Sequence, residues 1–308
     1  MPLIPMRDAL AHARRNAYAI GYFESWDLES LLPVINAAEA TDSPVIVGFN
    51  GGFIGSKERR KRIDIRMYGE IGGLIAERSR VPVCLLLNEA EDLSMLDEAI
   101  GCGFSAVMYD GKSESFDELV EINRTLVRKA HAHGVDVEAE VGSLPSAGIE
   151  TKVSETGELT DPGRAAYFAG ETGIDAVAIS VGNVHLRETG KSRLNLDLIR
   201  LLCDNIDKPL VLHGGTGIDA NDLRAAIDLG ICKVNFGTIL KRTFINSLRG
   251  YFSESDLEAR DPHEMLGKGG KLDLMERAKS RLSEEIADLM TILNCKGKAG
   301  NRSPAAQQ

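Results

Sequence analysis

The chain has 308 residues, 43% of them apolar, enough for one large domain or two ordinary ones. Its 36 Lys and Arg against 46 Asp and Glu leave a net charge of −10, which argues against a nucleic-acid partner but not against small phosphorylated molecules, since these need only a few local donors. No apolar run approaches the roughly 20 residues of a membrane span, the N-terminus lacks a signal peptide's apolar core, and five cysteines without a Cys-x-x-Cys pair fit reduced thiols; these features predict a cytoplasmic protein with no membrane partner.

In chain order, residues 1–18 predict an amphipathic helix, followed by a strand over AYAIGYF (17–23). A helix is predicted over 28–42 and a strand over SPVIVGF (43–49). The basic run KERRKR (57–62) reads as a solvated helix start, with attraction of an anionic substrate as its alternative. Strands follow over VPVCLLL (81–87), SAVMYD (105–110), VDVEAEV (135–141), DAVAISV (175–181), KPLVLH (208–213) and CKVNFG (232–237). Helical spacing recurs between them over 116–134, 161–173, 196–207 and 219–230, with Thr160 or Asp161 as cap of the second. Continuous rather than alternating apolarity marks strands covered on both faces. Eight such β-then-α units predict an α/β fold, a (β/α)8 TIM barrel with a C-terminal helical extension, in one domain over residues 1–295. A doubly wound sheet fits less well, because GYFESWD lacks a glycine fingerprint after the first strand. The small, polar stretch 296–308 is predicted to be a disordered tail.

In a barrel, chemistry sits where strands end. Those positions carry Glu24, Asn50, Asn88-Glu89, Asp110, Glu138 and Glu140, His185, His213-Gly214-Gly215-Thr216, and Asn235 with Thr238. Imidazoles at the neighbouring ends of strands six and seven, His185 and His213, can converge with Glu89 on one divalent metal and leave positions open for substrate. Loop histidines satisfied by hydrogen bonds are the plainer alternative. The glycine-rich HGGTG turn and Thr238 one strand later suit a phosphate.

These residues resemble the class II, metal-dependent fructose- and tagatose-bisphosphate aldolases, most specifically in VEAEVG (137–142), LTDPGRAAYFAGETGIDAVAISVGNVHL (159–186), PLVLHGGTGI (209–218) and KVNFGT (233–238). The resemblance implies a dimeric or tetrameric barrel that cleaves a phosphorylated ketose through a metal-stabilised enediolate. It places metal ligands on His185 and His213, phosphate and substrate contacts on Gly214, Gly215, Thr216, Asn235 and Thr238, and a proton-transfer role on Glu150, with Glu140 and Asp110 lining the metal site.

The third strand departs from the family, which ends it in an Asp-His pair. Here the pair is Asn88-Glu89. An amide cannot exchange a proton near neutral pH, whereas a carboxylate can still bind metal and is harder than imidazole. Zinc is the family's usual metal; Glu89 shifts the expectation toward manganese, cobalt or magnesium. Glu24 stands where Asn is common, Asn50 where Ser is common, and Leu186 where Gly is common. The residues thus predict an aldolase-type lyase with Glu24 or Glu150 supplying the missing acid and Asn50 contacting substrate. An epimerase or isomerase on the same enolate chemistry and a catalytically degenerate sugar-phosphate-binding homologue are the alternatives.

Overall fold

The computed structural model of the chain describes residues 3–111, 114–141, 159–183, 192–254 and 259–300. Among them, eight parallel strands close into a barrel in sequence order: β1 (Ile20–Ser25), β2 (Val45–Asn50), β3 (Val83–Ala90), β4 (Ala106–Tyr109), β5 (Asp136–Val141), β6 (Ala176–Ile179), β7 (Leu210–Leu212) and β8 (Ile231–Phe236), which returns to pair with β1. Around it run α1 (Met6–Arg15), α2 (Leu31–Ala40), α3 (Gly51–Ile54), α4 (Ile65–Arg78), α5 (Leu93–Ile100), α6 (Phe116–His131), α7 (Pro162–Thr172), α8 (Leu196–Asn205) and α9 (Ala220–Leu229). The helices after β8 are α10 (Thr238–Phe252), α11 (Pro262–Met265) and α12 (Leu274–Ile292). The predicted (β/α)8 barrel with a helical extension is the fold observed.

The barrel wall explains the apolar runs. Ile46, Val47, Leu85, Leu87, Val107, Val137, Val177, Val211 and Val234 are all buried, because each strand has a helix on one side and the barrel interior on the other. Asp161 caps α7, accepting from Arg164 N at 2.7 Å, while the Thr160 hydroxyl donates to Val141 O at 2.7 Å and accepts from Ser180 N at 2.8 Å, tying β5 to β6. On the extension, α12 lays Leu282, Ile286, Leu289 and Met290 into the common core. Its Ser283 hydroxyl donates to Pro33 O of α2 at 2.9 Å.

Two local expectations fail and two helices went without prediction, each for a physical reason. The run 57–62 starts no helix; α4 begins at Ile65, where Asp64 accepts from Arg66 N. That helix escaped notice because Gly69, Gly72 and Gly73 depress its propensity; a Cβ on Gly69 would meet Cys102 O at 2.2 Å, so close packing on its neighbour demands glycine. With 8 residues, α5 is too short to show a period. The tail predicted from 296 begins as ordered chain: Gly297 N donates to Thr41 O and Ala299 N to Asp42 O, both at 2.9 Å. Residues 301–308 lie outside the described ones.

The end of the barrel where strands begin is fastened by ions. Arg7 of α1 donates its backbone N–H to Asp136 Oδ2 at 2.7 Å and sets its guanidinium 3.0 Å from Oδ1; Asp175, 3.9 Å from that guanidinium, accepts from Val137 N at 2.8 Å and lies 2.8 Å from His131 Nε2. His131, Asp136 and Asp175 bring metal-ligand atoms within 4.8 Å of one another, but Arg7 already supplies the cation there. Burial, with the Asp175 carboxylate beside it, pushes the Asp136 carboxyl up to about 6 against the pull of Arg7. A carboxyl held more tightly protonated in the folded chain gives stability below its unfolded value near 3.9, lost as pH rises through about 6. Arg7→Ala is therefore expected to cost about 2–4 kcal/mol at pH 8, where Asp136 is ionised, and clearly less at pH 5; urea unfolding at the two pH values checks this, and equal losses would contradict it.

Candidate active site

Side chains of strands that are not neighbours meet only through the barrel interior, and there they form one polar centre. His213, just past β7 and fully buried, sets Nε2 3.0 Å from Glu138 Oε1 on β5. Its Nδ1 faces Glu89 Oε1 on β3 at 3.1 Å and Glu140 Oε2 on β5 at 4.0 Å. Lys233 on β8, equally buried, donates to Glu138 Oε1 at 2.9 Å and to Asn235 Oδ1 at 2.7 Å, and lies 5.1 Å from the centre of the Tyr22 ring.

Charge explains the arrangement. Three carboxylates surround one imidazole and one ammonium in a water-poor interior, where unpaired charge is costly. Burial alone would favour neutral His213, but its hydrogen bonds to Glu138 and Glu89, with Glu140 beside them, push its pKa up to about 10. Burial works against the Glu138 carboxylate too, yet Lys233 and His213 overcome it and hold its pKa below the ordinary value. The Lys233 ammonium is lowered by burial in spite of Glu138. With Glu138 accepting the Nε2 proton, the ring turns Nδ1 toward Glu89 and Glu140; protonated, that nitrogen faces the carboxylates as a donor, and once it gives up its proton it is free to bind a cation. One imidazole nitrogen, carboxylate oxygens and a surplus of negative charge are the donor set of a divalent cation.

The backbone aims Glu89 at this centre. The β3–β4 register shifts between Leu87 and Ala90, and Glu89 takes a left-handed φ of +50°. Such a conformation costs a non-glycine residue about 1 kcal/mol and recurs at functional sites. Strand three therefore continues to Ala90, past the end at Leu87 predicted from apolarity. Asn50 holds the carboxylate: its Nδ2 donates to Glu89 Oε2 at 2.7 Å while its Oδ1 accepts from Phe53 N at 3.1 Å. Predicted to touch substrate, Asn50 thus spends both ends of its amide on protein partners.

The other predicted residues distribute as follows. Asn88 is buried, and its Oδ1 has no hydrogen-bond partner among the described residues. Asn235 is buried with Nδ2 likewise unpartnered. Gly214, at φ +69°, opens a 3-10 turn over Gly215–Gly217; a Cβ on Gly215 would come within 2.6 Å of Val234 Cγ1. The Thr216 hydroxyl accepts from Ile239 N at 3.3 Å, which joins this turn to the start of α10 at Thr238. Glu24, at the end of β1, is ion-paired with Lys241 of α10. His185, Leu186 and Glu150 lie outside the described residues. Trp26, near the mouth, packs edge-on against Phe244 with ring centres 5.2 Å apart. Sequence reasoning missed the partnership of Lys233 with Glu138, and Lys241. Charged residues inside apolar strand runs, Glu138 in VDVEAEV and the lone Lys233 in CKVNFG, were the available signal for the first.

Fold and centre together define a (β/α)8-barrel protein whose strand ends converge acidic groups and an imidazole on one point. The family model described as fructose-bisphosphate aldolase class-II matches residues 4–298. The fructose-bisphosphate aldolase of Giardia intestinalis is 31% identical over 294 residues, 87% of this chain and 88% of its own length. A protein of Escherichia coli K12 described as uncharacterized protein YdjI is 32% identical over 228 residues, 74% of this chain and 80% of its own. The crystal structure of the YdjI aldolase from Escherichia coli K12 superposes with a TM-score of 0.80 at 28% identity, covering 96% of this chain and 99% of that one. The chain belongs to the class II fructose-bisphosphate aldolase family. It is a metal-dependent lyase of the aldolase type, and no helix among the described residues is long and apolar enough to cross a membrane.

Lys233→Met keeps most of the side-chain volume but leaves Glu138 with His213 alone. The variant is expected to lose about 3–5 kcal/mol of stability, as when one partner of a buried pair is removed, and Glu138→Gln in the same chain should restore part of it. Urea midpoints check both; a Lys233→Met chain as stable as the parent would contradict the charge balance described here.

Proposed function

We propose that the chain cleaves a phosphorylated ketose, or a related sugar phosphate, with a divalent metal held by His213, Glu89 and His185. The observation that carries this is the buried His213 ring, fixed through Nε2 by Glu138 and facing Glu89 and Glu140 with Nδ1. When bound, the metal supplies Lewis-acid polarisation of the substrate ketone. Glu138 and Lys233 keep the ring oriented, and Asn50 holds Glu89 toward it. The carboxylates favour manganese, cobalt or magnesium beside the family's zinc.

Proton transfer falls to Glu24 or Glu150, because the Asn88 amide can only hydrogen-bond. Burial raises the Glu24 carboxyl in spite of the Lys241 ammonium beside it. The phosphate would lie between the Gly214–Gly215–Thr216 turn and the start of α10 at Thr238, where barrels often seat one. The unpartnered Asn88 Oδ1 and Asn235 Nδ2 are an acceptor and a donor suited to substrate hydroxyls. Buried free thiols at Cys84, Cys102, Cys232 and Cys295 support a reducing, cytoplasmic setting. Exposed Met67, Ile71 and Leu74 along one face of α4 support a homodimer or homotetramer.

Elemental analysis of carefully prepared protein is expected to give close to one divalent metal per chain, lost in His213→Ala and His185→Ala and weakened in Glu89→Gln; a metal-free parent would overturn the assignment. Asn88→Asp with Glu89→His is expected to create or raise fructose- or tagatose-bisphosphate cleavage by roughly 10² to 10⁴-fold, the usual weight of a positioned proton-transfer group. If neither the parent nor that variant cleaves any sugar phosphate while both still bind it, the lyase reading fails and a binding role replaces it.

A further inference from the structure

The corner of the mouth where β8 meets β1 holds an ion pair that the chemistry above does not explain. Glu24 Oε1 pairs with the Lys241 ammonium, which also sits 4.2 Å from the centre of the Phe53 ring. The other oxygen, Oε2, lies over Gly237: a Cβ at that residue would come within 2.6 Å of it. Gly237 is the N-cap of α10, a 15-residue helix that starts with no side-chain cap and no acidic residue in its first turn. A lysine in that turn adds to the positive end of the helix and is unfavourable without an anion. Glu24 brings the anion from the next strand. Two residues before the cap, Asn235 Nδ2 is a buried donor with no acceptor among the described residues. Backbone positive charge and an ammonium thus gather where the chain places its own carboxylate, with an unused amide donor two residues before the cap.

We propose that Lys241 is a phosphate-binding residue that Glu24 occupies in the ligand-free chain, so that only a group more strongly anionic than a carboxylate takes the seat. The inference deepens the phosphate seat proposed above and rests on it. A phosphate dianion offers more charge and more acceptor oxygens to an ammonium and a helix start than one carboxylate does. A hydroxyl or a carboxylate on the substrate gains nothing by displacing Glu24. Selection between phosphate-ended and carboxylate-ended substrates is then built into the pair, and phosphate binding frees Glu24.

Calorimetric titration of the metal-loaded protein with inorganic phosphate at pH 8 tests this. Comparison among variants cancels any phosphate taken by the metal. Glu24→Gln is expected to bind phosphate roughly tenfold or more tightly than the parent, since the internal competitor is neutral. Lys241→Met should bind roughly tenfold or more weakly, and Lys241→Arg should bind about as the parent does. Acetate should bind none of the proteins except Glu24→Gln. Phosphate affinity unchanged or lowered in Glu24→Gln overturns the inference and leaves the phosphate seat standing. So does parental affinity in Lys241→Met, and if that variant does not fold, a tenfold loss in Lys241→Arg counts against the inference instead. No phosphate binding by any variant overturns both inference and seat, while metal content of the same samples tells whether the metal centre survives.

Discussion

Electrical balance inside a closed apolar wall is the constraint on which this molecule turns. The interior holds Glu138, Glu140 and Glu89 against one imidazole and one ammonium, and water that would otherwise screen them is kept out by strands whose residues are nearly all buried. Each charged group there is tolerable only because another is within reach. The hydrogen bond from His213 to Glu138 and the pair from Lys233 to the same carboxylate join β5, β7 and β8 across the barrel. A divalent cation at Nδ1 would complete the balance that a proton on His213 maintains without it. Stability of the barrel core and readiness for chemistry are therefore properties of one set of charges.

The opposite end of the barrel shows the same device put to a different use. Arg7, Asp136, Asp175 and His131 also concentrate charge at strand termini, but there the cation is part of the protein and fastens α1 across the starts of β5 and β6. Geometry alone would allow a metal at either end. What separates them is the charge already present: the lower cluster is closed by a guanidinium, the upper one is left with carboxylates in excess. Chemistry at the C-terminal ends and fastening at the N-terminal ends is the division expected of this fold.

Much of this was legible in the chain because the signals were local. Eight β-branched runs gave the barrel, and polar residues at their ends marked the mouth. His213 and Glu89, 124 residues apart by their numbers, were matched only because both fall at strand ends. Legibility failed where a feature depends on three dimensions. The left-handed φ of Glu89 leaves no mark in composition. The hold of Asn50 on Glu89 depends on the β2–β3 register, which sets Asn50 opposite Asn88. Lys241 looked like an ordinary helix residue until β1 brought Glu24 beside it. Lys233 was hidden in plain view: a lone lysine in CKVNFG demands a buried counter-ion, and the sequence names no partner for it.

Set against the Asp-His pair of the family it resembles, Asn88-Glu89 is a transfer of charge. Replacing an Asp-His pair by Asn-Glu moves the one carboxylate along by a residue, so the two-residue segment keeps its charge while its proton-transfer atom and its imidazole both disappear. The bulge after Leu87 turns that carboxylate toward His213, and Asn50 holds it there. A left-handed φ at a non-glycine residue costs free energy, and here the hydrogen bond from Asn50 and the proximity of His213 accompany it. The φ and the hydrogen bond are both present beside a buried imidazole whose charge Glu89 helps set.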